Sequence, residues 1–102
     1  MEREIQILAV CTHEGILATI LRLIHSHSAL WHATGAMSAV QALELGNTNN
    51  YDVVLLGNGL TEQEEQELTE KFTTKNSQTK LIKHYGGGSG LLFGEIYQAL
   101  SV

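Results

Sequence analysis

At 102 residues the chain has length for one domain, 1–102, with a core of its own, and a composition 43% hydrophobic and 17% charged is globular rather than disordered. A net charge of −5, with only six Lys and Arg spread along the chain, excludes the clustered basic surface that nucleic-acid binding needs. No apolar run approaches the ~20 residues of a membrane span, and the single cysteine, Cys11, excludes an internal disulfide and suits a reducing, cytoplasmic setting.

The amino terminus, "MEREIQILAV", is charged and then briefly apolar, which predicts a first strand over 4–10 rather than a signal peptide. A helix follows from Glu14, where Ile16, Leu17, Ile20, Leu21 and Ile24 recur on one face. His25 and His27 close it, in position to interact with the helix dipole. A second strand is expected over 29–35. Next, "SAVQALEL" opens on Ser38 with Gln41 three residues on, a capping-box pattern, and Gly46 reads as its carboxyl-terminal cap. The third strand, "YDVVLLG" over 51–57, is followed by a helix over 61–75 that starts on Thr61 and Glu64. That helix is mostly solvated, because Leu68 and Phe72 are nearly its whole apolar stripe. The fourth strand is expected over 79–85. Beyond a glycine-rich stretch, a last helix carries Leu91, Leu92, Phe93, Ile96, Tyr97, Ala99 and Leu100.

Four strands alternating with four helices predict an α/β, doubly wound, three-layer fold around a parallel sheet. The first and third strands are almost continuously apolar, as strands covered on both faces are; the second and fourth alternate, as edges do.

In such sheets ligands sit beyond the carboxyl ends of the strands. The rim residues there are the candidates for ligand or partner contact: Thr12, His13, Glu14, Asn58, His84, Tyr85, Gly86, Gly87, Gly88 and Ser89. Three successive glycines lose more backbone freedom on folding than a simple turn requires, so "HYGGGSG" suggests close approach by an anion or by another chain's backbone. It lacks the lysine of a phosphate loop and does not follow the first strand as a dinucleotide fingerprint would. Cys11, His13 and His84 are suitable residue types for zinc, but their spacing is not compact, and no metal or cofactor is expected. Cys11 beside His13 or His84 could serve as a nucleophile, whereas a cysteine ending a buried strand behaves as a small hydrophobe. The last helix is apolar nearly all round and the fourth strand offers an open edge. Together they predict a homodimer through 80–102, with Leu91, Leu92, Phe93, Ile96, Tyr97 and Leu100 at the interface.

The order of elements, "IQILAV" then turn and helix, and "YDVVLLGNGL" ending the third strand, resembles the receiver domain of two-component response regulators. The resemblance implies a flavodoxin-like fold with strand order 2-1-3-4, lacking the fifth strand and helix. A receiver's acidic pair matches Cys11 and Thr12, its phosphoacceptor aspartate matches Gly57, and its hydroxyl residue falls near Tyr85. The function so implied is a non-catalytic, receiver-like signalling and interaction module that takes up no aspartyl phosphate, with a signalling protein as a further partner and neither nucleic acid nor membrane. "AVCTHEGILATIL" is also similar to the B components of lactose- and cellobiose-type sugar phosphotransferase systems, which would make Cys11 a phosphoryl acceptor. His13 is similarly placed to the histidine of mannose-type A components. A phosphocarrier using Cys11 or His13 is therefore one alternative, and small-anion or nucleotide binding at the glycine loop is another.

Overall fold

The computed structural model describes residues 3–84 and 88–100, of Gly88 and Ser89 the backbone alone. The elements run β1 (Ile5–Val10), α1 (Glu14–His27), β2 (Trp31–Ala36), α2 (Ala39–Thr48), β3 (Val53–Leu56), α3 (Glu62–Lys75), β4 (Lys80–Lys83) and α4 (Gly88–Leu100). The four strands form one parallel sheet in the order β2-β1-β3-β4. This is the expected doubly wound, flavodoxin-like arrangement. No described helix is long and apolar enough to cross a membrane.

Burial explains the composition of the central strands. Ile7, Leu8, Ala9 and Val10 of β1, and all of β3, are buried, because alternate residues feed two separate cores. On one face Ile5, Ile7, Ala9, Val53 and Leu55 pack under Leu17, Ile20 and Ile24 of α1 and Leu92, Ile96 and Ala99 of α4. On the other, Leu8, Val10, Val54 and Leu56 pack under Ala39 and Ala42 of α2 and Leu68 and Phe72 of α3.

Helix α4 takes the face that the later crossovers leave to α1. Right-handed crossovers put α1 on one face as the chain moves from β1 out to β2, and α2 and α3 on the other as it moves back through β3 to β4. A crossover continuing outward to a fifth strand would join α2 and α3. Helix α4 lies instead with α1, so it folds back over the sheet and completes the third layer. Leu92 and Ile96 are both 0% exposed in this core. Their expected place in a dimer interface is thereby corrected: a side chain with no accessible surface has nothing to bury against a second copy.

Local chemistry sets the other boundaries. The second strand begins at Trp31 rather than 29, because Ser28 Oγ accepts from Leu30 N at 3.1 Å and Ser28 O from Trp31 N at 3.2 Å, closing a turn. Thr61 and Glu64 form the full reciprocal capping box. Ser38 makes only half of one: its hydroxyl accepts from Gln41 N, while the Gln41 side chain accepts from Met37 N instead. Gly46 is not a cap. It lies inside α2, buried against the Phe72 ring, where a Cβ would stand 2.7 Å from Cε1. The helix ends at Thr48, and the Lys75 ammonium donates to the carbonyls of Gly46 and Asn49. The two histidines ending α1 do more than meet a dipole. His25 Nε2 lies 3.1 Å from Ala33 O on the outer edge of β2, and His27 stacks on Phe93 with centroids 4.0 Å apart while bonding the Tyr97 hydroxyl at 2.9 Å.

Candidate functional site

The sheet register brings Val10, Leu56 and Lys83 side by side, so Cys11, Gly57 and His84 are the next residues at the rim. The ladder continues through them: Gly57 N donates to Val10 O at 2.7 Å, His84 N to Leu56 O at 3.0 Å, and Cys11 N to Ala36 O at 2.9 Å. Thr12 N then donates to Asn58 O at 3.1 Å, joining the loops after β1 and β3.

Gly57 is crowded from the β1 side. A Cβ there would lie 2.8 Å from Val10 O and 3.1 Å from Cys11 Cβ, inside ordinary contact distance of backbone already committed to the ladder. Gly59 is required for a different reason. Its φ of 95° is a left-handed conformation that L side chains rarely adopt, and a Cβ would meet Thr12 Oγ1 at 1.6 Å. The two glycines hold the β3 loop flat against the β1 loop.

Of the expected rim residues, Thr12, His13 and Glu14 are exposed and Asn58 is half-buried, all at the β1 and β3 loops. His13 is the cap of α1, its Nδ1 accepting from Ile16 N at 3.1 Å, and Glu14 occupies the first turn, where its charge favours the positive end of the helix dipole. His84 behaves otherwise: it is only 6% exposed, and its Nδ1 meets Glu95 Oε1 of α4 at 2.5 Å. Tyr85, Gly86 and Gly87 lie outside the described residues, so the expected glycine cradle does too. Gly88 and Ser89 are already backbone of α4, so the helix starts inside the glycine-rich stretch rather than beyond it.

Cys11 is 0% exposed, part of the α1–α4 core, with its Sγ 3.6 Å from His13 O. A thiol so placed cannot meet a phosphoryl donor unless the rim opens, which corrects the reading of Cys11 as a phosphoryl acceptor or nucleophile. Cys11, His13 and His84 do not assemble a metal centre either; among the described residues no three His, Cys, Asp or Glu side chains are placed to hold an ion.

The sequence reading missed the pairing of His84 with Glu95 and the groove it belongs to. That groove, about 280 Å³, runs between α1 and α4 and is lined by His13, Gly15, Ile16, Thr19, Ile20, Leu23, His84 and Leu92. The available signal was Glu95 itself, the one acid in an otherwise apolar helix. A larger groove, about 590 Å³, lies between α2 and α3 at the opposite end of the sheet, where Lys75 is already engaged in capping α2.

Compared with known proteins, the chain matches no family model and no curated sequence. Solved structures do match. The BeF3-activated DrrB receiver domain superposes with a TM-score of 0.74 at 11% identity, over 97% of this chain and 99% of that one. The Vibrio cholerae chemotaxis protein CheY4 gives 0.71 at 11% identity, over 94% and 98%. The signal receiver domain of an HD domain-containing protein from Pseudomonas fluorescens Pf-5 gives 0.67 at 20% identity, over 97% and 96%. The chain has the fold of response-regulator receiver domains. At these identities the likeness speaks for the fold and leaves the chemistry to the residues at the rim.

Proposed function

We propose that the chain is a signalling module of receiver fold that acts by binding and does not carry an aspartyl phosphate. One observation carries this reading: the position that ends β3, where a receiver keeps its phosphoacceptor, is Gly57, and the Val10 carbonyl and Cys11 crowd the place its side chain would take. The positions of the acidic pair hold a buried Cys11 and the hydroxyl of Thr12, which engages Asn58 O at 3.4 Å. Without those acids no Mg²⁺ is gathered, and without the aspartate no acyl phosphate forms.

The function is then carried by surface. Thr12, His13, Glu14 and Asn58 form the face offered to a signalling protein partner. Pairing of two copies uses what the core leaves exposed on α4: Leu91 and Tyr97, 52% and 53% exposed, flanked by the half-buried Phe93 and Leu100. The test of the central reading is incubation with Mg²⁺ and acetyl phosphate, followed by intact mass. An unmodified chain is the expected outcome, and a phosphoryl adduct overturns it. Pairing is tested separately by mass-resolved sizing at high micromolar concentration. A dimer that Tyr97→Glu dissociates supports the α4 surface, and a monomer throughout removes it.

A further inference from the structure

His84 is the most buried of the described polar rim groups, and only one of its two nitrogens is used. Nδ1 is held by the Glu95 carboxylate at 2.5 Å, which fixes the proton on Nδ1 and turns Nε2 outward. Nε2 has no hydrogen-bond partner among the described residues, and no fully buried side-chain atom lacks one. Nε2 therefore keeps some accessible surface, on a residue that lines the groove.

The same groove is lined by a second imidazole, tuned the other way. His13 Nδ1 accepts the Ile16 amide proton, so the proton of its neutral ring sits on Nε2 and makes that nitrogen a donor. This disfavours a metal ion, which would need a lone pair on His13 Nε2. The remaining walls are Gly15, Ile16, Ile20, Leu23 and Leu92, with Thr19 turning its hydroxyl to Gly15 O. From His13 to Leu23 the groove follows ten residues of α1, about 15 Å at ~1.5 Å per residue. It is an apolar groove with nitrogen groups toward one end.

We propose that this groove binds a short aliphatic carboxylic acid, its head between His84 and His13 and its tail along Ile16, Ile20, Leu23 and Leu92. The head satisfies both rings. Either the acid hands its proton to His84 Nε2 or a carboxylate meets the protonated ring; both routes end in the same Glu95–imidazolium–carboxylate chain. His13 Nε2–H supplies a second donor, and the positive end of α1 lies beside it. A phosphate dianion fits less well, because the apolar walls offer nothing to replace its hydration. The site is independent of the binding-module reading: either can fail while the other stands.

The test uses the intact chain and hexanoate, with long-range ¹⁵N–¹H spectra reading all five histidine rings. Saturable shifts are expected at His13 and His84 and not at His25, His27 or His32. Half-saturation should fall near ~1 mM, the order reached by a ligand of about eight heavy atoms. 1-Hexanol, with the same tail and no charge, should bind about tenfold more weakly. Ile16→Glu, at an exposed position on the groove wall, should weaken hexanoate about tenfold while leaving the fold intact. Glu95→Gln keeps an oxygen for Nδ1 but removes the charge, so it should weaken hexanoate and leave hexanol unchanged. The proposal is overturned if His13 and His84 do not shift at ten times that concentration. Equal binding of hexanol, or indifference to Ile16→Glu, overturns it as well.

Discussion

Alanine at Gly57 adds one methyl group where the rim is most tightly closed. Its Cβ would stand 2.8 Å from Val10 O and 3.1 Å from Cys11 Cβ. Neither neighbour can retreat cheaply: the Val10 carbonyl accepts the N–H of Gly57 itself at 2.7 Å, and Cys11 is fully buried. Overpacking of this kind costs about 1–3 kcal/mol, and narrowing the unfolded chain returns about 0.4–1 kcal/mol of it. The expected net loss is about 1–2 kcal/mol, read as a Tm lowered by roughly 4–15 °C for a domain of this size. Gly57→Asp should lose more, since it adds a charge to the same crowding, and it should not restore phosphorylation by acetyl phosphate. Urea unfolding of both variants against the parent provides the measurement. A Gly57→Ala protein as stable as the parent would mean that the strand end has slack and that the rim does not exclude a side chain.

Four more outcomes rest on particular contacts. Gly59→Ala should destabilise by about 1–3 kcal/mol through its strained φ alone, and pairing it with Thr12→Ala should recover only the part due to Thr12 Oγ1 and Cγ2, since Thr12 Cβ stays 2.8 Å away; full additivity in urea denaturation would show that those two atoms do not clash. Leu92→Ala should cost about 2–5 kcal/mol in the monomer, because Leu92 belongs to the core; an effect seen only on self-association would return it to an interface. Thr61→Ala should cost about 1 kcal/mol by breaking the reciprocal cap of α3, measured as a lowered urea midpoint, and an unchanged midpoint would count against the cap. Burial raises the Tyr51 phenol above its usual 10.0, opposed by a hydrogen bond from Thr34, so the unfolded chain releases this proton first. Its contribution is whole below about pH 10 and is lost as the pH climbs through the folded value; Tyr51→Phe should flatten that alkaline loss, and an identical pH profile would contradict the assignment.

Much of the architecture is written in local pattern. The unbroken apolar runs of β1 and β3 announce strands buried on both faces, and Thr61 with Glu64 announces a helix start by a mechanism internal to four residues. Other features depend on partners distant in the chain. Gly46 reads as a stop until Phe72 is seen lying against it, 26 residues later, filling the space a side chain would need. The apolar stripe of α4 shows that the helix is covered, but periodicity carries no sign for which face of the sheet covers it. The structure places it on the α1 face, which turns Leu92 and Ile96 from apparent interface into core. At the site, the rim positions of Thr12, His13, Glu14 and Asn58 follow from strand ends alone. The coupling of His84 to Glu95 joins the end of β4 to the second turn of α4, and a lone acid among the apolar residues of α4 is its one sign in the sequence.

The central claim is that the rim of this receiver fold has no place for a phosphoryl group. Beryllofluoride, a phosphoryl mimic, tests it without any reaction: titrate it with Mg²⁺ into ¹⁵N-labelled protein and follow the amides of Cys11 to Glu14 and Gly57 to Gly59. None of them is expected to move beyond the effect of ionic strength. Saturable shifts centred on Gly57 and Thr12 would show that the rim holds the anion after all, and would contradict the claim.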